Sequence, residues 1–362
     1  CVTGVQTCAL PIYPVRAPER LLADLQAQVA ANRLGAEALR RLIAMEGATA
    51  VAAAMAAVQR NAAEAVRCLI DRLQPGCHAV ELDDGSRVAV AVRPDHGQRR
   101  LSIDFSGTSP QQSGNLNAPL AITKAVVLYV MRVLVARPIP LNAGCFEPID
   151  LIVPPASLLC PCEPAAVVGG NVETSQAVAN ALFGALGVLA AGQGTMNNLS
   201  FGNAHCQYYE TVAGGSGAGI VPGPSLGFHG CGAVQSHMTN SRLTDPEILE
   251  ARFPVRLERF SLRRGSGGSG RWRGGDGVVR QLRVLEPITL AILSGSRRVP
   301  PFGMAGGGPG ACGRNWLLRA DGSREALGGS AQVAMAAGDA VLMETPGGGG
   351  FGLVAPASAG ER

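Results

Sequence analysis

Aromatic residues make up only 4% of this 362-residue chain, so its interior must be built from Ala, Val, Leu and Ile rather than stacked rings. No uninterrupted apolar run reaches the ~18 residues expected of a membrane span. No basic segment precedes the short apolar stretch at the start, so it does not read as a signal peptide. Charge of one sign is also scarce: 31 Lys and Arg against 27 Asp and Glu leave a net +4. That balance gives no reason to invoke nucleic acid or an anionic membrane. Ten cysteines are scattered, and the one close pair, Cys160-Pro161-Cys162, is too tight for zinc or redox motifs. Free, buried thiols of a cytoplasmic protein are the expectation. No repeat of fixed period is present.

What the chain does have is glycine, 48 residues of it, and 24 prolines, which imply many turns and close backbone approaches. Three polar clusters interrupt small apolar sequence between Pro164 and Gly219. They are Asn171-Val172-Glu173-Thr174-Ser175-Gln176, Gly194-Thr195-Met196-Asn197-Asn198 and Tyr208-Tyr209-Glu210-Thr211. Amides, hydroxyls and carboxylates in such a setting must pair with each other or with a ligand. Glu173 and Glu210 are candidate acid/base groups, and His237 is a third. For both glutamates an ion pair with Arg242, or a cap hydrogen bond, is the plain alternative. Asn171, Thr174, Asn197, Asn198, Asn240 and Arg242 are candidate substrate-binding groups. A helix over 173–189 would put free N–H groups at Asn171–Thr174, suited to an anion or a developing oxyanion.

Periodicity predicts a helix from Pro18 carrying Leu21, Leu22, Leu25 and Val29, with Asp24, Gln28 and Asn32 on a neighbouring face. Gly47 ends it. A second helix buries Val51, Met55, Val58, Ala62, Val66 and Leu69 and stops before Pro75-Gly76. A β-meander follows over 78–105, and 118–135 reads as a buried helix. Beyond Pro254 alternation predicts strands at 256–260, 278–284, 288–293, 315–319, 331–333 and 340–344. The fold class is α+β, a helical and mixed N-terminal part with a β-rich C-terminal domain. Residues 1–13 read as a non-native or disordered segment, 14–253 as a mixed core, 254–352 as the β-rich domain and 353–362 as a disordered tail. The Gly-rich runs 265–277 and 346–352 lack a P-loop ending and are expected to form turns rather than a phosphate cradle around Arg271 and Arg273.

The order of these tetrapeptides resembles the hydantoinase B / 5-oxoprolinase family. Val167 to Gln176, Gln193 to Asn198, Tyr208 to Thr211, Ser236 to Arg242, Ser266 to Gly275 and Glu344 to Gly350 carry the resemblance. It implies a B-type subunit of an ATP-dependent cyclic-amide hydrolase, opening hydantoin or 5-oxoproline rings beside an A-type subunit that uses ATP. An acetone-carboxylase-type subunit and a non-catalytic assembly partner of the ATPase are the alternatives. The resemblance covers the later two-thirds of a family member. It implies that a divalent metal is bound by an upstream segment without counterpart here, so the chain is expected to be a truncated form, inactive alone, that exposes apolar surface.

Overall fold

The computed structural model describes residues 18–140, 142–221 and 226–354, apart from the side chain of Arg20. The readings made for residues 1–13 and 355–362 lie outside them.

Helix α1 (Pro18–Glu46) and helix α2 (Ala48–Ile70) are separated by Gly47, whose φ of 85° no other residue type adopts easily. The two helices bend by 114° at this break, and among the described residues no single helix is long and apolar enough to cross a membrane. α2 buries Val51, Ala62, Val66 and Leu69, but Met55 and Val58 face outward, contrary to the helical-wheel expectation. Most of α1 is exposed as well, including Leu22 and Val29. Both helices carry an apolar stripe that the described residues leave uncovered.

The meander forms as expected: β1 (Gly76–Glu81), β2 (Arg87–Asp95) and β3 (Arg100–Asp104) pair antiparallel. β4 (Ile149–Ile152) adds to β3 in parallel after a crossover through α3 (Leu120–Val135). Val88, Val90 and Val92 alternate onto the core, where they meet α2, α3 and α4 (Ser175–Ala185).

Two further sheets enclose a second core. One has the order β13-β12-β15-β10-β9, the other β14-β11-β5-β6. Their strands are β5 (Asn198–Gly202), β6 (Gln207–Thr211), β9 (Val255–Arg263), β10 (Gly277–Val284), β11 (Ile288–Leu293), β12 (Arg314–Leu318), β13 (Arg324–Leu327), β14 (Ser330–Met335) and β15 (Ala340–Glu344). β7 (Gly219–Ile220) and β8 (Gly227–Phe228) make a separate small ladder. The expected strands after Pro254 are all present. Two of the three polar clusters turn out to run into strands: β5 and β6 pair with each other and, through β5, with β11. The four-stranded sheet therefore spans the position near Phe253 where composition changes. A short helix, α5 (Pro246–Arg252), capped by Asp245, lies between.

The first Gly-rich run opens on the expected turn at Gly265, with φ 79°, but most of both runs does something else. These stretches are extended segments stacked backbone on backbone: Gly268 N–H donates to Gly348 O at 2.8 Å, and Gly348 N–H to Gly275 O at 2.9 Å. A Cβ on Gly348 would lie 1.9 Å from Ser216 O, and one on Gly275 2.0 Å from Cys231 O. Only glycine permits such spacing. These amides are committed to carbonyls, so the runs are not a phosphate cradle. The described cysteines are free thiols, but only Cys145 is buried. The expectation of buried thiols fails because most cysteines sit on loops and outward helix faces.

Candidate functional site

Residues Gly170–Thr174 form one π-helical turn ahead of α4. Gly170 presses against the chain at Asn117, where a Cβ would lie 2.3 Å from the carbonyl oxygen. That close approach draws Glu173 inside, leaving it 3% exposed. The helical run has already begun here, so the expected free N-terminus at Asn171–Thr174 does not exist. Asn171 is exposed and its carbonyl accepts from Ser175 Oγ at 2.6 Å. The Thr174 hydroxyl donates to the Leu116 carbonyl. Neither side chain points at the cluster around Glu173.

Three donors converge on Glu173 Oε1: Thr195 Oγ1 at 2.9 Å, the Met196 N–H at 3.2 Å and Asn198 Nδ2 at 2.8 Å. They come from the turn before β5, in which Gly194 and Asn197 take positive φ; asparagine tolerates that region better than most residues. Glu173 Oε2 has no hydrogen-bond partner among the described residues. Burial pushes the carboxyl up to about 8, against the opposing pull of the Thr195 hydroxyl, the Met196 amide, Arg297 and the nearby Gly295 amide. The Gly295 N–H is directed to Thr195 Oγ1 at 3.0 Å rather than to Oε2. A neutral acid with one free oxygen is the form favoured at neutral pH.

Asn198 and Asn197 fix the surroundings. Asn198 Nδ2 also donates to Leu293 O at 2.8 Å, and Tyr209 OH donates to Asn198 Oδ1 at 2.7 Å. Asn197 Nδ2 donates to Gln193 Oε1 at 2.7 Å and to Val212 O at 3.0 Å. Arg297 Nη2 donates to Asn197 Oδ1 at 2.8 Å, and Arg297 is anchored by its own N–H to Asp83 Oδ2 at 2.7 Å. Burial lowers the guanidinium to about 10, while nearby Glu173 opposes that shift. Sequence reasoning missed Arg297. Its signal was modest, a Gly-Ser-Arg-Arg step directly after the apolar run that forms β11. A cleft of about 230 Å³ opens beside this group, lined by small residues such as Ala177, Gly192, Gly194 and Gly295 together with Asn180 and Ser296.

Glu210 does not join the cluster. Side chains alternate along β5 and β6, and the register pairs Asn198 with Thr211 and Leu199 with Glu210. Asn198 therefore faces Glu173 while Glu210 faces the core between the two sheets. There it pairs with Arg280, at 2.6 Å and 2.9 Å, and accepts from Tyr208 OH at 2.8 Å. The partner is thus Arg280, not Arg242. Arg242 and Asn240 are exposed on the segment before α5. His237 lies closer to the cluster. Its ring packs on Phe183 at 5.2 Å, Nδ1 is 3.3 Å from Tyr129 OH, and Nε2 would be 3.3 Å from a Cβ on Gly192. Burial lowers it to about 4, so it is a neutral imidazole at neutral pH. Of the nine candidates, Glu173, Asn197 and Asn198 are brought together, His237 adjoins them across Gly192, and the remainder lie elsewhere.

Among the described residues no group of three His, Cys, Asp or Glu side chains is placed to hold a metal ion. The donors present do not fit the divalent metal that the resemblance implies, and no step is derived through one.

The fold is shared with solved structures of ATP-utilising enzymes. An ATP-dependent caprolactamase from Pseudomonas jessenii superposes with a TM-score of 0.75 at 23% identity, over 91% of this chain and 60% of that one. A nucleotide-free acetone carboxylase superposes with a TM-score of 0.73 at 18% identity, over 87% and 50%. The chain belongs to the hydantoinase B/oxoprolinase family, whose model matches residues 6–354. It is 45% identical to 5-oxoprolinase 1 of Arabidopsis thaliana over 347 residues, 91% of this chain and 27% of the relative. The chain thus spans about a quarter of the length of the 5-oxoprolinases it matches.

Proposed function

We propose that this chain is the B-type component of an ATP-dependent cyclic-amide hydrolase, working beside an A-type ATPase subunit. Family membership and the 5-oxoprolinase relatives support the reaction class. The observation that carries the role of this chain is Glu173, a buried carboxyl with three donors on one oxygen and none on the other. Ring amides are poor electrophiles, and a partner that phosphorylates the amide oxygen supplies a leaving group. The B-type component then has to hold the activated ring while water attacks its carbon, and to deliver or accept a proton as the C–N bond breaks and phosphate leaves. A carboxyl that titrates near 8 suits that task, because a general acid works best with a pKa near the working pH. Thr195, Asn198 and the Met196 amide orient it, and the small residues of the neighbouring cleft admit a ring.

The test is to combine the chain with an A-type ATPase subunit and follow ADP and ring-opened product with hydantoin and with 5-oxoproline. ATP-dependent opening of either is expected, and Glu173→Gln should lower it by roughly 10²–10⁴-fold, the usual worth of a positioned acid or base. Opening that is untouched by Glu173→Gln would overturn the role given to Glu173.

A further inference from the structure

Seven buried polar atoms outside the Glu173 group have no hydrogen-bond partner among the described residues; apart from His78 Nε2 and Arg132 Nε, the other five belong to segments that meet around Gly192. They are Gln176 Oε1, Gln193 Nε2, Gln235 Oε1, Ser236 Oγ and His237 Nε2. Gln176 and Gln193 are 0% exposed. Ser236 Oγ and His237 Nε2 would lie 3.2 Å and 3.3 Å from a Cβ on Gly192, so both pack closely against this glycine. Buried polar groups are almost always paired, and this many failures in adjacent segments call for a ligand.

The orientation of each amide is fixed by the bonds it does make. Gln176 Nε2 donates to Ser236 O at 3.2 Å, which leaves its oxygen free. Gln235 Nε2 donates to Thr211 O and Thr211 Oγ1, both at 3.0 Å, which leaves its oxygen free as well. The Gln193 oxygen accepts from Asn197, whose own oxygen is held by Arg297, so Gln193 must present its NH₂. The cluster thus offers acceptors beside a donor, with a hydroxyl and an imidazole nitrogen, and none of these five side chains is a cation. His237 also takes a φ of 57°, in the left-handed region where histidine occurs more often than most residues.

We propose that Gln176, Gln193, Ser236 and His237 form the recognition site for the cis-amide edge of a neutral ring such as hydantoin. An amide inside a small ring is locked cis, so its N–H and C=O leave the same edge side by side. An acceptor and a donor from two carboxamides match that edge, and a linear amide, which is trans, does not. The atoms are closed off from solvent in this arrangement, so entry requires the 235–237 segment to move outward; its three residues are the partly exposed wall of the cluster. This inference deepens the reading given above and rests on it, yet its failure can be told apart, because binding needs neither ATP nor a partner.

The experiment is calorimetric titration of the full chain with hydantoin and with linear N-methylacetamide, without nucleotide. Hydantoin should bind at least tenfold more tightly than the linear amide. Ser236→Ala should weaken hydantoin by roughly 2- to 10-fold, the worth of one neutral hydrogen bond. Gly192→Ala, which crowds Ser236 Oγ and His237 Nε2, should weaken it further, with thermal melting to verify that each variant is folded. Equal affinity for the two amides, no binding by the folded chain, or variants with unchanged affinity would each overturn the assignment. Ring-opening with an ATPase subunit alongside any of these results would leave the broader reading standing and remove only this site.

Discussion

Glu173 and Glu210 are both buried carboxyls, 3% and 5% exposed, yet their surroundings have opposite designs. Glu210 lies between two sheets with a bidentate guanidinium on its oxygens and a tyrosine hydroxyl beside it. Glu173 has only neutral donors, all on one oxygen, and its nearest cation, Arg297, is turned to Asn197 and Asn315 instead. Both oxygens of Glu210 are occupied, whereas Glu173 keeps one oxygen open. Burial and carboxylate chemistry alone do not mark a catalytic acid; the state of its partners does.

That contrast is most directly broken at Arg280. Arg280→Met should cost about 3–5 kcal/mol of stability, because Glu210 would be left buried without its charge partner. Urea denaturation checks this, and a loss below ~1 kcal/mol would mean that Glu210 is not held as described. Replacing Glu210 and Arg280 together with apolar residues should cost far less than either change alone.

Glu173 should show its effect in pH dependence rather than in a fixed loss. Its ordinary value of 4.5 is raised to about 8 in the folded chain. Below 4.5 both folded and unfolded forms are protonated. Between 4.5 and about 8 the unfolded chain has lost the proton while the folded chain keeps it, so stability falls as pH rises. The slope contributed is at most about 1.4 kcal/mol per pH unit. Glu173→Gln should flatten this limb, and parallel melting curves for the two proteins from pH 5 to 8 would contradict it.

His237 gives a smaller limb of opposite sign. It is lowered from 6.5 to about 4 by burial, so between those values the unfolded chain binds the extra proton and stability falls as pH drops. His237→Phe should remove this acid-side loss, read from melting temperatures between pH 4 and 6.5. The window is shorter than that of Glu173, and the side chain is partly exposed, so the total is less.

Much of this arrangement was legible in the chain itself. Alternation at Val88, Val90 and Val92 gave the meander, and alternation after Pro254 gave the strands of the second core. The cluster of Glu173, Asn197 and Asn198 could be anticipated because polar side chains among small residues must find each other. The fate of Glu210 could not. Its partner Arg280 is 70 residues away, and which face of β6 it occupies depends on a register with β5 that no local pattern fixes. The Gly-rich runs were legible only in part for a related reason: glycine signals a turn when read locally, as at Gly265, whereas most of these glycines answer to a neighbouring backbone supplied by a distant segment.

Tyr209→Phe is the mildest change and separates the two sides of β6 most finely. Tyr208 and Glu210 point into the core, whereas Tyr209, half exposed, points the other way and donates to Asn198 Oδ1. Removing the hydroxyl should cost about 1 kcal/mol or less, since solvent can reach the site of the lost bond. Its effect on Glu173 is more informative. Asn198 Nδ2 is held against Glu173 by the Leu293 carbonyl, and Tyr209 pins the other end of the same amide. Once unpinned, the amide can turn its oxygen toward the carboxyl, which disfavours the ionised form, so the Glu173 limb should move to slightly higher pH. The direction can be read from the pH dependence of melting in Tyr209→Phe, with Glu173→Gln in the same background as the reference. A shift to lower pH would mean that Tyr209 does not act on Glu173 through Asn198.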